Sequence, residues 1–218
     1  MNNIKVTLIK RKYKSPITNL IVNTVLLSNN NKAVLFDPSI PVSELEKHLG
    51  DKQLLAVVLT HAHWDHILNL EEVLNKYDVP LYLHKNASKL FNDSTLNCST
   101  MHKIDLNFNI PEKTKVIELD ENYCQLNLGE FKLDSYYTPG HSDDSITYLI
   151  EDNIICGDSI RLNKPARTDL PTSNTDDLEK SNEFFKGLNP EFTVYNGHEA
   201  PDKLKNFYLF KNFEQELN

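Results

Sequence analysis

A dense group of metal-ligand side chains constrains this chain more than any other feature of its sequence. The segment THAHWDH (residues 60–66) places three imidazoles and one carboxylate within six positions. It directly follows residues 54–59 (LLAVVL), an apolar run with the length and composition of a buried strand. A strand of this kind presents the side chains at its carboxyl end on a loop that a rigid scaffold holds in place.

The spacing within this segment predicts a metal site. His61 and His63 are two positions apart, so they point the same way in an extended chain. Asp65 and His66 follow where the chain turns toward a helical pattern over residues 67–77. The segment therefore offers one pair of ligands to one metal ion and the next pair to a second. A single histidine is usually a surface or core residue, but a cluster of histidines and carboxylates is typical of a metal site.

The heptapeptide resembles the signature of the metallo-β-lactamase superfamily, and further motifs of that pattern follow in order. His141 lies in TPGHS, Asp158 in CGDS and His198 in YNGHE, so the resemblance runs from about residue 19 to residue 200. It implies an α/β fold, a four-layer αββα sandwich, formed by one domain over residues 1–218. The alternation of strand and helix patterns by itself indicates only a mixed α/β fold.

The resemblance also implies a ligand set and a mechanism. It implies two divalent metal ions, with zinc as the first candidate and iron or manganese as alternatives. It also implies a bridging hydroxide that attacks a carbonyl. Asp65 would orient this nucleophile and carry its proton. Asp37 resembles the superfamily's structural aspartate, although a turn residue or N-cap explains it equally well. The first ion would be bound by His61, His63 and His141, the second by Asp65, His66 and His198, and both by Asp158.

Two features narrow the resemblance to the glyoxalase II-like hydrolases and the related persulfide dioxygenases. True metallo-β-lactamases have Cys or Ser near the position of Asp158, and they commonly have glycines where this chain has residues 67–69 (ILN). Residues 166–170 (ARTDL) are similar to the Gly-Arg-Thr/Ser-Asp segment of the glyoxalase II-like group. There Arg167 and Asp169 would brace the active-site loop, with Arg167 a candidate substrate contact. The glutathione-binding helical region of glyoxalase II has no counterpart, so we expect a small thioester or ester substrate.

Two other activities and one non-enzymatic role compete with this hydrolase. A persulfide dioxygenase would use one iron ion held by two histidines and one aspartate. A lactonase would need a phenol near the metal ions, which Tyr136, Tyr137 or Tyr195 could supply; Tyr195 is therefore a candidate substrate-binding residue. A degenerate binding protein is disfavoured because all seven expected ligands are intact.

Composition limits the partners that the chain can have. The net charge of −8 and the absence of an extended basic run argue against nucleic acid and favour a small-molecule substrate. No run of about 18 apolar residues predicts a membrane span, and the N-terminus has no apolar core of signal-peptide length. With only three widely spaced cysteines, which do not form a disulfide framework, we expect a cytoplasmic protein.

Periodicity predicts the remaining elements. The segment 86–112 is less regular and is the best candidate for a substrate-facing loop. Strands at 115–118, 123–128 and 130–137 should belong to the second half of the fold, and apolar residues from Leu204 to Leu217 predict a closing amphipathic helix that begins near Asp202. Other strands are predicted at 4–9, 19–27, 33–37, 80–84, 146–150, 153–156 and 192–195, and other helices at 41–49 and 176–187.

Overall fold

Two six-stranded sheets form the framework of the structure, a computed structural model that describes residues 4–211. The first sheet contains, in spatial order, β1 (Lys5–Lys14), β2 (Asn19–Ser28), β3 (Lys32–Phe36), β4 (Gln53–Val58), β5 (Leu81–His84) and β6 (Val116–Leu119). The second contains β7 (Tyr123–Leu128), β8 (Phe131–Tyr137), β9 (Ile146–Ile150), β10 (Asn153–Gly157), β11 (Thr193–Asn196) and β12 (Asp202–Lys203), in the spatial order β12-β11-β10-β9-β8-β7.

Both sheets are mixed. In the first, β1, β2 and β3 pair antiparallel, and β3, β4, β5 and β6 pair parallel. In the second, β10 and β11 pair parallel, while each of the other neighbouring pairs is antiparallel. Parallel neighbours need a crossover, and helices form part of these crossovers. The helices are α1 (Val42–Leu49), α2 (Leu70–Lys76), α3 (Ser88–Phe91) and α4 (Thr175–Lys186).

Three apolar clusters hold the layers together. One fills the space between the sheets, one packs the first sheet against α1, α2 and α3, and the third packs the second sheet against α4. Strand β4 shows how the sequence achieves this, because Val57 enters the outer cluster while its neighbours Ala56 and Val58 enter the inner one. Alternate side chains of a strand point to opposite faces, so an uninterrupted apolar run serves a strand covered on both sides. The predicted αββα sandwich is therefore confirmed.

The strand near residue 116 belongs to the first sheet and not, as the sequence predicted, to the second half of the fold. β6 pairs parallel with β5, with Leu81 opposite Val116. The irregular segment 86–112, which includes only α3 and two short 3₁₀ turns, carries the chain back across the sheet. A parallel return of this kind needs a long connection, and this segment provides it.

The predicted C-terminal amphipathic helix is wrong for its described part. Asp202–Lys203 pairs with β11 as the short strand β12, and two 3₁₀ turns follow, at Leu204–Asn206 and Tyr208–Phe210. Leu204 and Phe207 are buried in the third cluster. Their spacing of three places both on one side of 3₁₀ turns, which repeat every three residues. The prediction for Phe213 and Leu217 lies outside the described residues.

The helices of this fold are short. The longest, α4, has 12 residues. Within residues 4–211, none combines the length and the apolarity that crossing a bilayer requires.

Candidate metal centre

The metal-ligand residues meet at one end of the sandwich because each of them follows a strand. Residues 61–66 come after β4, His141 after β8, Asp158 after β10 and His198 after β11. The first loop is anchored to the second sheet, since Ile146 N donates to Thr60 O at 2.8 Å. It then turns tightly, with His66 N donating to His63 O at 3.0 Å. The structure thus brings together all seven residues that the sequence predicted as metal ligands.

His61, His63 and His141 form a cluster that we call the three-histidine group. One nitrogen from each ring lies within 4.8 Å of the others. Nδ1 of His63 is 3.1 Å from Nε2 of His141, and all three rings are buried. Three imidazole nitrogens that converge in a buried space are a typical zinc-binding arrangement.

Asp65, His66 and His198 form a second cluster, which we call the mixed group. Their ligand atoms also lie within 4.8 Å of one another, and Nε2 of His198 is 3.6 Å from Oδ2 of Asp65. The rings of His61 and His66 are only 4.2 Å apart between centroids, so the two groups adjoin.

Asp158 lies between the two groups and contacts both. Its Oδ2 is 3.7 Å from Nε2 of His141 and 3.0 Å from Nε2 of His198. Its Oδ1 is 3.7 Å from Nε2 of His66. A carboxylate in this position can bridge two cations, as the resemblance implied.

Two glycines leave the space that these side chains occupy. Gly157, at the end of β10, has a φ of +50°, and a Cβ there would lie 2.2 Å from Oγ1 of Thr60. A Cβ at Gly197 would lie 2.3 Å from Oδ1 of Asp158 and 2.4 Å from Cε1 of His66. Any larger residue at either position would displace the ligand cluster.

Hydrogen bonds behind the cluster fix the ring orientations. Four of the five histidines donate from Nδ1 to a protein oxygen, which leaves Nε2 facing the centre; such partners orient the ligands of metal sites. The four acceptors are Thr60 Oγ1 for His61 (3.2 Å), Asp37 Oδ2 for His66 (3.0 Å), Arg167 O for His141 (3.2 Å) and Ile21 O for His198 (2.6 Å).

Asp37 acts as the brace that the sequence resemblance implied. Its Oδ1 accepts from Thr60 N at 2.8 Å, and its Oδ2 accepts from Thr60 Oγ1 at 2.6 Å as well as from His66. Asp37 also lies close enough to His61 and His66 to form a third ligand group. Because both of its oxygens already accept hydrogen bonds from the loop, we interpret Asp37 as a support for His66.

A second buried carboxylate, which the sequence reasoning missed, supports the same loop from the other side. Asp144 Oδ2 accepts from Ala62 N at 2.7 Å, between His61 and His63. Burial raises the pKa of Asp144 to about 6, although hydrogen bonds from Ser142 and Ala62 oppose this rise. Its position in the sequence, three residues after His141, gave no sign of a contact with residue 62.

The electrostatics of the cluster differ from one group to the other. Burial and the neighbouring imidazoles hold the pKa values of His61 and His63 well below the usual value. Burial alone would lower the pKa of His66, but the hydrogen bond to Asp37 and nearby carboxylates raise it to about 9. Burial opposes ionisation of Asp158, yet His198, Arg161 and His141 hold its pKa well below the usual value.

The donor set fits metal ions. Buried polar atoms normally have hydrogen-bond partners. In the part of the chain that the structure describes, Nε2 of His61, Nε2 of His63, Nε2 of His66 and Oδ1 of Asp158 are buried without one. Unpaired buried polar atoms that converge in this way are costly unless a cation or an ordered polar ligand satisfies them.

A cavity of about 550 Å³ opens onto the centre. Residues 17–21, in the hairpin of β1 and β2, form one side, and Cys98, Met101 and His102 form another. The segment 86–112 therefore does contribute to the pocket. Its contact with the metal loop is fixed by a hydrogen bond from Trp64 N to Asn97 O at 2.9 Å.

Basic side chains form the remaining wall of the cavity. Arg161, Lys164 and Arg167 line it, although the chain as a whole is acidic. Arg167 is also paired with Asp169, with Nε donating to Oδ1 and Nη2 to Oδ2, both at 2.8 Å. The contribution of Arg161 was not foreseen, because nothing in the sequence showed where the loop after β10 would turn.

The phenols proposed for a lactonase are not at the cavity. Tyr195 packs between the two sheets. Tyr137 stacks on His84, with ring centroids 4.3 Å apart, and its hydroxyl donates to Asp143 O at 3.0 Å. With Tyr136, it borders a separate depression on the surface. The tyrosines therefore pack within the fold, and Tyr195, the candidate substrate contact, does not line the cavity.

Comparison with protein families identifies the fold. A family model described as the metallo-β-lactamase superfamily matches residues 17–198. The chain belongs to this superfamily. The match includes all seven clustered ligand residues and the strands β2 to β11, but it does not by itself distinguish the glyoxalase II-like hydrolases from other members.

Individual members resemble the chain over most of its length. The probable metallo-hydrolase YqgX of Bacillus subtilis is 34% identical over 190 residues, covering 85% of this chain and 88% of that protein. The crystal structure of the B3 metallo-β-lactamase BLEG-1 superposes with a TM-score of 0.78 at 27% identity, covering 91% of this chain and 95% of that one. TTHA1623, crystallised in a di-iron-bound form, superposes with a TM-score of 0.72 at 26% identity, covering 90% and 94%.

Proposed function

We propose that this protein is a metal-dependent hydrolase that cleaves a small thioester or ester at a centre of two divalent ions. The three-histidine group would hold one ion, and the mixed group would hold the other. Asp158 would bind both ions. The position of Asp158 supports this most directly, because its two oxygens lie within 3.7 Å of nitrogens from both groups. The name of the Bacillus subtilis relative, a probable metallo-hydrolase, agrees with the proposal.

The metal ions and the residues around them would have different roles in the reaction. Two bound ions supply Lewis acidity and lower the pKa of water in the site. Asp65 is 8% exposed, and it borders the cavity. Its carboxylate can orient a water molecule through one oxygen and accept the proton that the water loses. The preceding residue, Trp64, is buried and its N–H donates to Asn97 O at 2.9 Å, which anchors the chain next to Asp65.

Zinc is the first candidate for both ions. Imidazole and carboxylate ligands suit zinc, and they also suit iron and manganese. TTHA1623, which holds two iron ions, shows that a relative with this fold accepts iron.

The preference for a thioester rests on the similarity of residues 166–170 to the glyoxalase II-like segment. In the structure, the main-chain oxygen of Arg167 accepts from His141 Nδ1 at 3.2 Å. The side-chain pair of Arg167 and Asp169 closes the same loop. These contacts support the bracing role predicted for this segment. The cavity volume is in the range of pockets for small molecules, about 300–1,000 Å³.

Metal analysis combined with a substrate panel tests the proposal. We expect about two equivalents of metal per chain, and release of free thiol from at least one acyl thioester. Failure of the fully loaded protein to cleave any thioester, ester or lactone would contradict the proposal. One equivalent of iron, with oxygen consumption on a persulfide, would support a dioxygenase instead.

A variant of Asp65 tests whether this residue acts as a general base or only as a metal ligand. Asp65→Asn should lower kcat by about 10²–10⁴-fold, the usual contribution of a general base. We expect the exchange to leave most of the bound metal in place, because five histidines and Asp158 remain. Loss of one metal equivalent in proportion to the loss of activity would show that Asp65 acts only as a ligand.

A further inference from the structure

Arg161 is the most buried basic side chain in the wall of the cavity. It is 14% exposed and lies beside the bridging carboxylate, with Nη1 donating to Asp158 Oδ2 at 3.3 Å. Its Nε donates to Glu199 Oε2 at 3.2 Å. These two hydrogen bonds use Nε and Nη1, two of the three nitrogens of the guanidinium. The guanidinium is therefore held at two corners and retains donor capacity at the third.

The partner of Arg161 is itself fixed. Glu199 also accepts from Leu162 N at 3.2 Å and from the Asn196 side chain. Asn23 donates to the main-chain oxygen of Glu199 at 2.8 Å. The guanidinium thus keeps one orientation without help from a ligand, so little conformational entropy remains to be lost when a ligand binds.

Lys164 adds a second cation to the same wall. It lines the cavity three residues after Arg161, and no carboxylate of the described residues lies within ion-pair distance of its Nζ. Arg161 and Arg167 both pair with carboxylates, but Arg161 is 14% exposed and Arg167, whose Nε and Nη2 both donate to Asp169, is 44% exposed. The buried, fixed Arg161 and the unpaired Lys164 are therefore the stronger candidates for contacts with a ligand.

Basic side chains also flank the cavity on the hairpin side. Lys12 lies opposite Ile21 and Lys14 opposite Asn19, and both of these partners line the cavity. Directly paired residues of an antiparallel ladder share one face, so the two lysines lie on the same face of the hairpin as Ile21 and Asn19. Both are exposed, and neither forms an ion pair within the described part of the chain. A positive rim on a protein of net charge −8 is a local feature that attracts anions.

We propose that the substrate of the hydrolase carries an anionic group, a carboxylate or a phosphate, and that Arg161 and Lys164 bind it. The inference rests on the function proposed above and adds a substrate class to it. Arg161 is the specificity-determining residue, because its planar, fixed guanidinium suits the oxygens of either anion. Lys164 contributes charge at the mouth, and Lys12 and Lys14 attract the anion from solvent.

Matched substrates test this assignment. One acyl thioester carries a terminal carboxylate, the second has the corresponding carboxamide, and the third carries a phosphate. We expect the wild-type protein to prefer an anionic substrate over the carboxamide by at least about tenfold in kcat/KM, mainly through KM. The better of the two anions identifies the group. The preference should shrink as salt rises from about 50 to 500 mM, because screening weakens partly exposed interactions.

Three variants separate recognition from support of the fold. Arg161→Met should abolish the preference for the anion while the carboxamide is still cleaved, and Arg161→Lys should restore part of it. Lys164→Met should reduce the preference several-fold. Lys132→Met is the control: Lys132 is an exposed lysine on β8 that does not line the cavity, and its loss should leave the preference unchanged.

The possible failures can be told apart. Equal cleavage of all three substrates by the wild type would overturn this inference and leave the proposed function standing. Equal loss of all three in Arg161→Met, with loss of metal, would show that Arg161 only supports Asp158 and Glu199. If the loaded protein cleaves none of them, the proposed function fails. Calorimetric titration with the non-cleavable thioether analogues then decides the inference, because only anion recognition gives tighter binding of the charged analogue.

Discussion

The three-histidine group and the mixed group are adjacent, but the protonation of their histidines before a metal ion binds is opposite. In the first, burial and mutual repulsion keep the imidazoles neutral, with lone pairs available. In the second, burial opposes protonation of His66 and His198, but Asp37, Asp65 and Asp158 raise the pKa of His66, and Asp158 and Asp65 raise that of His198. Before a metal ion binds, protons therefore compensate the carboxylates of the mixed group.

This difference shows how one loop can build two unlike sites. His61 and His63 lie on its extended part, where their rings adjoin each other and His141, whereas Asp65 and His66 lie on its turn, beside carboxylates. Each part also has its own buried carboxylate behind it, Asp144 for the first and Asp37 for the second. Asp158 is the one proposed ligand that the two groups share.

Removal of this shared ligand should have the largest effect. Asp158→Asn weakens both groups at once, so we expect metal content to fall from about two equivalents to one or fewer. Loss of several kcal/mol of metal-assisted stabilisation corresponds to a decrease in kcat/KM of at least about 10³-fold. Elemental analysis and thioester cleavage measure both effects. Asp152→Asn, an exposed change in the turn before β10, is the control. A variant that retains both ions would show that the groups are independent.

The pH dependence of metal binding should separate the two groups. A folded-state pKa of about 9 means that His66 holds a proton at neutral pH and must release it to bind a metal ion. Affinity at the mixed group should therefore rise about tenfold per pH unit as pH approaches 9. The three-histidine group should show little dependence above pH 7, because its imidazoles are already neutral.

Single-site variants make that measurement possible. His141→Ala leaves the mixed group intact, and His198→Ala leaves the three-histidine group intact. Zinc affinity, measured by competition with a chromophoric chelator at pH 6.5, 7.5 and 8.5, should rise steeply in the first variant and stay nearly flat in the second. If zinc affinity changed equally with pH in both variants, the proposed electrostatic difference between the two groups would be contradicted.

The brace behind the mixed group offers a more selective change. Asp37 has a φ of +49°, a backbone conformation that Asn also adopts, so Asp37→Asn removes the charge without adding backbone strain. The amide nitrogen would face Nδ1 of His66 or the donors of Thr60, and one hydrogen bond would be lost. We expect metal binding at the mixed group to weaken by about 10–100-fold. Equal weakening of the three-histidine group would mean that Asp37 supports the whole loop and not His66 in particular.

The parts of this centre that follow strands could be predicted from the sequence. Each proposed ligand comes shortly after an apolar or β-branched run, and the ends of strands in one sandwich meet at one edge. The supports were harder to predict. Ala62 and Asp144 are 82 residues apart, and their contact depends on how two loops from different sheets meet. Asp37 was identified only through the family resemblance.

The wrong predictions have one cause. The spacing of apolar residues in a sequence indicates the periodicity of an element, but it does not show which other elements that element contacts. Residues from Leu204 onward have a real apolar repeat, but pairing of Asp202–Lys203 with β11 directs them into 3₁₀ turns. β6 has the composition of any strand, and nothing in its own sequence shows that it pairs with β5 in the first sheet. Tyr195 lies three residues before His198, yet strand alternation turns its ring into the core between the sheets.

The smallest expected effect concerns the brace of the three-histidine group. Asp144→Ala leaves the buried N–H of Ala62 without its acceptor, which should lower the free energy of unfolding by about 1–3 kcal/mol at pH 7.5.

The buried carboxylate of Asp144 also makes stability depend on pH. Its pKa is about 6 in the native state and 3.8 in the unfolded state, so the native state binds more protons between these two values. Its stability contribution therefore falls as pH rises from about 4 to about 6. Asp144→Asn keeps an acceptor for Ala62 and removes this dependence. Urea unfolding at pH 5 and pH 7.5, with chelator present, should thus show a flatter response for Asp144→Asn than for the wild type. Asp105→Ala, at an exposed position with no side-chain partner among the described residues, should behave as the wild type does at both pH values.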